Sequence, residues 1–286
     1  MKLLVTGGSG QLGSDVESLL RQRGLDCLSV GTRQLDITDE NAVFVCVRAY
    51  RPDAVLHCAA YTKVDQAEEE EERCRMINAA GTRHIARACE ACGAKLLYTS
   101  TDYVFPGTGE TPYETDAPTG PLNVYGQTKL EGELAVRETL ERHVIVRVSW
   151  LFGKNGNNFV KTMLRLGREK RTLSVVCDQI GSPTYTADLA ALLCDMAKSD
   201  AYGTYHATSE GFCSWYDCAK AVFRLSGDIS EVLPIATADY PTKAKRPLNS
   251  RLSKKSLTEA GFSRLPAWED ALLRYIAAEE YVVAPL

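Results

Sequence analysis

The chain of 286 residues, 45% hydrophobic and 24% charged, has a globular composition and enough length for one large or two modest domains. A formal net charge of -4 with no basic cluster argues against a nucleic-acid surface, and no run of about 18 apolar residues exists to cross a membrane. The apolar run Met1 to Val5 meets glycines too soon to be a signal peptide, so a cytoplasmic protein with small-molecule or protein partners is expected.

Lys2 to Thr6 is an apolar β run, followed by Gly7-Gly8-Ser9-Gly10-Gln11-Leu12-Gly13 and an amphipathic stretch through Val16, Leu19 and Leu20 that stops at Gly24. Strand, glycine turn and helix is the layout in which backbone N–H groups at a helix N-terminus hold a pyrophosphate. Gly7, Gly10 and Gly13 would then divide three tasks: a tight turn, close approach of backbone to phosphate, and close packing of helix on strand. An ordinary tight turn is the competing reading. A second strand, Asp26 to Val30, leads into Gly31-Thr32-Arg33 and lacks the acidic residue that binds a ribose 2'-hydroxyl in NAD-preferring folds. Arg33 suits a 2'-phosphate, which makes NADPH the first choice and NADH the alternative, with a solvated loop arginine as the competing reading. Asp36 and Ile37 are placed to cover an adenine edge.

Thr38 is the expected cap of a helix from Asp39 to Tyr50, and Pro52 precedes a third strand, Ala54 to Cys58. Ala59-Ala60-Tyr61 follows at that strand's carboxyl end, where a cofactor could lie close. Asp65 begins a helical region with the run Glu68 to Glu72, read as a solvated face, and it continues as a buried helix toward Gly93. A fourth strand, Ala94 to Tyr98, delivers Thr99-Ser100-Thr101-Asp102, and the long Gly/Pro/Thr-rich loop from Pro106 to Pro121 reads as a lid.

The next helix, Leu122 to Glu141, carries Tyr125 and Lys129 four residues apart and therefore on one face. A fixed positive charge beside a phenol favours its ionised form, making it a workable proton donor. His143 to Ser149 is a fifth strand ending in Trp150. After Gly153 shorter mixed elements follow: a helix from Phe159, a strand Leu173 to Val176, a polar loop to Thr184, a helix Asp188 to Lys198, a strand Gly203 to Ala207 and a helix capped by Ser214. Pro234, Pro241 and Pro247 mark irregular crossings. The expected fold is α/β, a Rossmann-type doubly wound parallel sheet over residues 1–150 that later segments rejoin, with residues 151–286 mainly a smaller substrate-binding domain. The ten cysteines read as reduced core residues, and Cys89, Cys92 and His84 are too few for a metal site, so no metal is expected.

Three features resemble the extended short-chain dehydrogenase/reductases: Thr-Gly-x-x-Gly-x-x-Gly at Thr6 to Gly13, Thr101 after the fourth strand, and Tyr-x-x-x-Lys at Tyr125 to Lys129. Further blocks are similar to the dTDP-4-dehydrorhamnose reductase family: Ser100 to Phe105, Pro121 to Gly126, Arg147 to Trp150, Gly156 to Phe159 and Arg246 to Ser250, with Trp268 also fitting. The resemblance implies NAD(P)H-dependent reduction of the 4-keto group of dTDP-4-dehydro-L-rhamnose to dTDP-L-rhamnose, a precursor for polysaccharide. Under it Tyr125 gives the proton, Lys129 favours the tyrosinate and bonds the nicotinamide ribose, Thr101 holds the carbonyl oxygen, and Thr99 lies along the cofactor. It also implies Asp102 and Trp150 beside the sugar and Val64 against its 6-methyl group. Asn157, Asn158 and Lys161 at a helix start suit a diphosphate, and Gln179 and Arg246 suit the nucleotide. Asp102-Tyr103 in place of an Asp-Glu pair disfavours a dehydratase. A 4-epimerase, a reductase of another 4-keto-6-deoxysugar and a non-catalytic subunit like that of methionine adenosyltransferase stay open as alternatives. A homodimer and a monomer carry no different signature.

Overall fold

Leu3, Leu4 and Val5 are all fully buried, as are Val55 and Leu56, and a strand buried on both faces belongs to a parallel sheet covered by helices on either side. The computed structural model describes residues 1–279. In chain order the first half holds β1 (Lys2–Thr6), α1 (Gln11–Gln22), β2 (Asp26–Val30), α2 (Glu40–Tyr50), β3 (Ala54–His57), α3 (Val64–Ala67), α4 (Glu71–Arg75), a π-helix (Met76–Gly81), α5 (Thr82–Cys92), β4 (Lys95–Thr101), α6 (Val124–Thr139) and β5 (His143–Val148). The second half adds β6 (Leu151–Phe152), α7 (Phe159–Glu169), β7 (Thr172–Val176), β8 (Ile180–Gly181), β9 (Thr184–Tyr185), α8 (Thr186–Lys198), β10 (Gly203–His206), β11 (Cys213–Ser214), α9 (Trp215–Ser226), β12 (Glu231–Ile235), α10 (Lys255–Glu259) and α11 (Trp268–Ala278).

Six strands form one sheet in the order β10-β5-β4-β3-β1-β2, every pair parallel. The order reverses between β1 and β3, so the loops after β1 and β3 open onto one crevice at the carboxyl edge, with the end of β4 next along it. This is the Rossmann-type arrangement. Leu12, Val16 and Leu20 of α1 pack on one face with Leu189 and Leu193 of α8, while Val43, Val47, Ile85 and Cys89 cover the other. A separate core gathers Phe152, Met163, Val222, Trp268 and Leu272 from the later elements.

Several local expectations need correction. Asp39, not Thr38, caps α2 by accepting from the Ala42 N–H, because Asp36 already holds Thr38 through both its N–H and its hydroxyl. The helix expected from Asp65 to Gly93 is broken into three pieces and a π-helical turn, a wide turn that displaces one face of the helix. Pro234 lies within β12, paired opposite Val175 in a two-stranded ribbon, where the partnerless edge tolerates a missing N–H. The loop after β4 is pinned and is no free lid: the Gly107 carbonyl accepts from Asn249, Asn249 donates to Thr108 and Thr111, and Tyr113 pairs with Leu252. All ten cysteines are unbridged, and Cys92 is exposed. Among the described residues no helix is long and apolar enough to cross a membrane, and no three His, Cys, Asp or Glu side chains gather to hold a metal.

Candidate active site

The glycine turn leaves the N-terminus of α1 bare. Gly7 has φ +71°, and a Cβ there would sit 2.6 Å from the Ala59 nitrogen; a Cβ on Gly13 would sit 2.2 Å from the Gly7 carbonyl oxygen. Around Gly10 only the Gly7 oxygen, at 3.1 Å, comes within 4 Å of a Cβ position, so its outer side is open. No side chain caps α1, and its first turn carries no acid. The first N–H groups of a helix lack intrahelical partners, and among the described residues no side chain caps them here. An open glycine surface at an uncapped helix start fits the diphosphate of a dinucleotide. Leu12 is buried beneath this turn and Gln11 lies at its rim.

Arg33 is exposed after β2, where Gln34 instead accepts from the Gly31 N–H at 3.0 Å. The Asp36 carboxylate turns back on Thr38, whose N–H and hydroxyl hold it below the usual carboxylate range, and Ile37 is buried in the core. Ala59 and Ala60 are half-buried at the end of β3. Tyr61 is fixed through its backbone: Asn78 of the π-helix accepts from the Tyr61 N–H at 2.8 Å and donates to its carbonyl at 3.1 Å. The same Asn78 amide reaches the Thr128 hydroxyl on α6 at 3.1 Å, tying the cofactor-side segment to the helix that carries Tyr125 and Lys129. His57, beneath them, sits between Thr6 and Thr82 hydroxyls and is held neutral, pushed down to about 3 by burial and then by the Lys129 charge.

Asn123 caps α6, accepting from Gly126 N–H at 2.8 Å and donating to the Lys245 carbonyl at 2.9 Å. The cap fixes the first turn, and hence Tyr125, over the end of β4. Burial raises the Tyr125 phenol, while a hydrogen bond with Thr101 pulls it back. The Thr101 hydroxyl also donates to Asp102 at 3.0 Å and accepts from the Tyr103 N–H at 3.2 Å. Asp102 is buried, pushed up to about 6 by desolvation, with the Ser250 hydroxyl acting the other way; its Oδ2 makes no hydrogen bond of ordinary geometry. Lys129 donates to the Thr99 carbonyl at 2.7 Å and lies 4.1 Å over the Tyr98 ring. Burial brings it down to about 7, and Glu133 opposes that most. The Tyr125 phenol thus stands against Thr101 and the Lys129 ammonium, one turn on, against the Thr99 carbonyl, both at the carboxyl end of β4 and on the sheet edge where α1 begins.

The remaining sequence-derived residues line the later side. Val64 and Asp65 open α3, and Arg246 donates to Asp65 at 2.6 Å and to the Tyr103 hydroxyl at 3.3 Å, while the Tyr103 ring meets Tyr125 edge-on at 5.5 Å. Trp150 has φ +51° and is half-buried: Trp215 stacks on it at 3.6 Å, and a Cβ on Gly181 would lie 2.7 Å from the Cε2 of its ring. Asn157 is exposed, whereas Asn158 caps α7 through the Lys161 N–H and donates to Gln11 at 2.9 Å. The Lys161 ammonium is held by the Lys154 and Gly156 carbonyls. Gln179 donates to Thr237 at 3.1 Å. Sequence reasoning gave no role to Asn78, Asn123, Glu133 and Trp215, of which Asn123, a favoured cap residue within the Pro121 to Gly126 block, and Glu133, four residues after Lys129, left a signal.

A sequence profile of the family described as RmlD substrate binding domain matches residues 1–281. The chain belongs to this family. Its RmlD-family relatives include a dTDP-4-dehydrorhamnose reductase of Streptomyces griseus, 46% identical over 276 residues that cover 94% of this chain and 91% of the relative. The crystal structure of a dTDP-4-dehydrorhamnose reductase from Bacillus anthracis str. Ames in complex with NADP matches with a TM-score of 0.95 at 43% identity, covering 97% of this chain and 99% of the other. A dTDP-4-keto-6-deoxy-D-glucose reductase of Streptomyces niveus is 39% identical over 271 residues, covering 94% of each chain.

Proposed function

We propose that this RmlD-family chain reduces the 4-keto group of dTDP-4-dehydro-L-rhamnose to give dTDP-L-rhamnose, using NADPH, with Tyr125 as the proton donor. The observation that carries the reading is the placing of Tyr125 against Thr101 and of Lys129 on the Thr99 carbonyl at the end of β4, on the sheet edge that also holds an uncapped glycine turn, in a chain 43% identical to a reductase holding NADP. Gly7, Gly10, Gln11, Leu12 and Gly13 would hold the diphosphate, Arg33 the 2'-phosphate, and Asp36, Ile37, Ala59, Ala60, Tyr61 and Thr99 the rest of the dinucleotide. When bound, NADPH supplies the hydride that adds to the keto carbon.

As that bond forms, negative charge grows on the carbonyl oxygen and must be neutralised. The Thr101 hydroxyl, a rotor that can exchange its Asp102 acceptor for the substrate oxygen, holds that oxygen in line. Burial keeps the Tyr125 phenol protonated until it is needed, and it then delivers its proton to the alkoxide. The Lys129 ammonium stabilises the tyrosinate left behind. Trp150, with Val64 and Asp102, borders the sugar; Asn157, Lys161, Gln179 and Arg246 border the nucleotide, and the later core carries this sugar-nucleotide side as a smaller unit. Arg246 must give up Asp65 to do so.

The Streptomyces niveus relative favours a second reading, reduction of a different dTDP-4-keto-6-deoxysugar. The assay follows NADPH absorbance with dTDP-4-keto-6-deoxy-D-glucose, with and without the 3,5-epimerase that converts it to dTDP-4-dehydro-L-rhamnose. Oxidation that depends on the epimerase is expected. Oxidation without it selects the second reading, and none with NADPH or NADH removes both.

A further inference from the structure

Lys129 and Glu133 stand one turn apart on α6, and both side chains are buried, at 2% and 0% exposure. Adjacent residues of β4 hold them: the Thr99 carbonyl accepts from the Lys129 ammonium, and the Ser100 hydroxyl donates to Glu133 Oε1 at 2.6 Å. Arg147 of β5 forks onto the same carboxylate, Nε to Oε1 at 2.8 Å and Nη2 to Oε2 at 2.7 Å, and Arg137 adds a bond to Oε2 at 3.0 Å. Arg147 is itself buried, anchored to the Thr115 carbonyl and lying 4.9 Å over the Phe105 ring. The Glu133 carboxylate is thus paired with two guanidiniums and fixed in place by them.

The titratable groups around Lys129 are otherwise uncharged at neutral pH. From β3 come His57, held neutral, and Cys58, whose thiol burial pushes up; from α4 comes Cys74, also raised; β4 gives Tyr98 and α6 gives Tyr125, both phenols raised by burial. Glu133, ion-paired with Arg137 and Arg147, is the one carboxylate in that set. We propose that Glu133 is a positioning residue for Lys129: its clamped carboxylate supplies the fixed negative charge that keeps the buried ammonium protonated, with Arg147 and Ser100 holding that charge in place. The inference rests on the role given to Lys129 above, and it assigns the buried Glu133–Arg147 pair a task beyond anchoring α6 to the sheet.

The test titrates Lys129 by NMR of protein labelled with carbon-13 at lysine Cε, free of substrate and cofactor, the resonance being assigned by its loss in Lys129→Met. A wild-type midpoint near 7 is expected, falling by about one pH unit or more in Glu133→Gln. That variant strands Arg147 as an unpaired buried cation and can fail to fold. Glu133→Gln/Arg147→Met removes both charges and carries the same expectation. A midpoint unmoved in either folded variant overturns the proposal, since a merely structural role lowers stability and leaves the titration alone; so does a wild-type midpoint below about 5. NADPH oxidation is measured separately: a protein that titrates as expected yet oxidises no NADPH breaks the functional reading and leaves this coupling standing.

Discussion

Two helix N-termini, those of α1 and α7, meet, and they are built in opposite ways. At α1 glycines and the absence of any cap leave backbone donors uncovered, whereas at α7 Asn158 takes the Lys161 N–H and the Lys161 ammonium is folded onto the Lys154 and Gly156 carbonyls. The two are joined by the Asn158–Gln11 hydrogen bond. Sequence alone offered both as phosphate sites. The structure separates an end that is available to a ligand from an end that braces the first, and α6, capped by Asn123, is a third case in which the cap aims a side chain.

This contrast can be broken from either side. Tyr125→Phe removes what the capped α6 presents and should lower turnover by roughly 10²–10⁴-fold while NADPH affinity, measured by fluorescence titration, stays near wild type. A variant with full turnover removes Tyr125 from the chemistry. Gly13→Val strikes the bare end: even a Cβ there meets the Gly7 carbonyl, so the turn must open and NADPH binding should become undetectable in the same titration. Arg33→Ala should weaken NADPH by about tenfold while leaving NADH unchanged, the size of one lost charge-assisted hydrogen bond; equal weakening of both would make Arg33 a bystander. Smallest, Asn158→Ala should cost about 1 kcal/mol of stability in denaturant unfolding, the usual value of a helix cap. It should raise the Kd for NADPH only modestly, through a loosened Gln11. A collapse of NADPH binding in that variant would mean that α7 itself holds the cofactor.

Rate also separates the ends by pH. With Lys129 held near 7, the ammonium is present below that value and lost above it, so turnover limited by tyrosinate stabilisation should fall as pH rises through it. The backbone donors of α1 do not titrate, so their hold on the diphosphate should not change over the same range. A turnover that rises there instead would contradict the role given to Lys129.

The glycine turn was legible because only glycine avoids the clashes found at Gly7 and Gly13, so composition and geometry coincide there. The Tyr125 and Lys129 pair was legible because helical spacing alone puts them on one face. What escaped depends on contacts between distant segments. Trp150 reads as a pocket aromatic, and its stacking partner Trp215 and its neighbour Gly181 do not announce themselves from position 150. Asn78 gains its clamp only because the helix widens into a π turn, which no periodicity in the stretch Met76 to Gly81 foretells. The lid-like loop is pinned by Asn249, more than a hundred residues later in the chain.

The sheet order carries one more consequence, for how the molecule is made. The outer strand β10 pairs with β5 residue for residue from Gly203↔Val144 to His206↔Arg147. As the polypeptide leaves the ribosome, β5 therefore has one side waiting until everything from β6 to α8 has been synthesised. During that interval a strand of buried valines and isoleucine presents an open edge, the kind of surface on which chains join one another. The six-stranded sheet is completed only after the intervening segments of the second core are made, and fragments cut between them inherit a sticky seam.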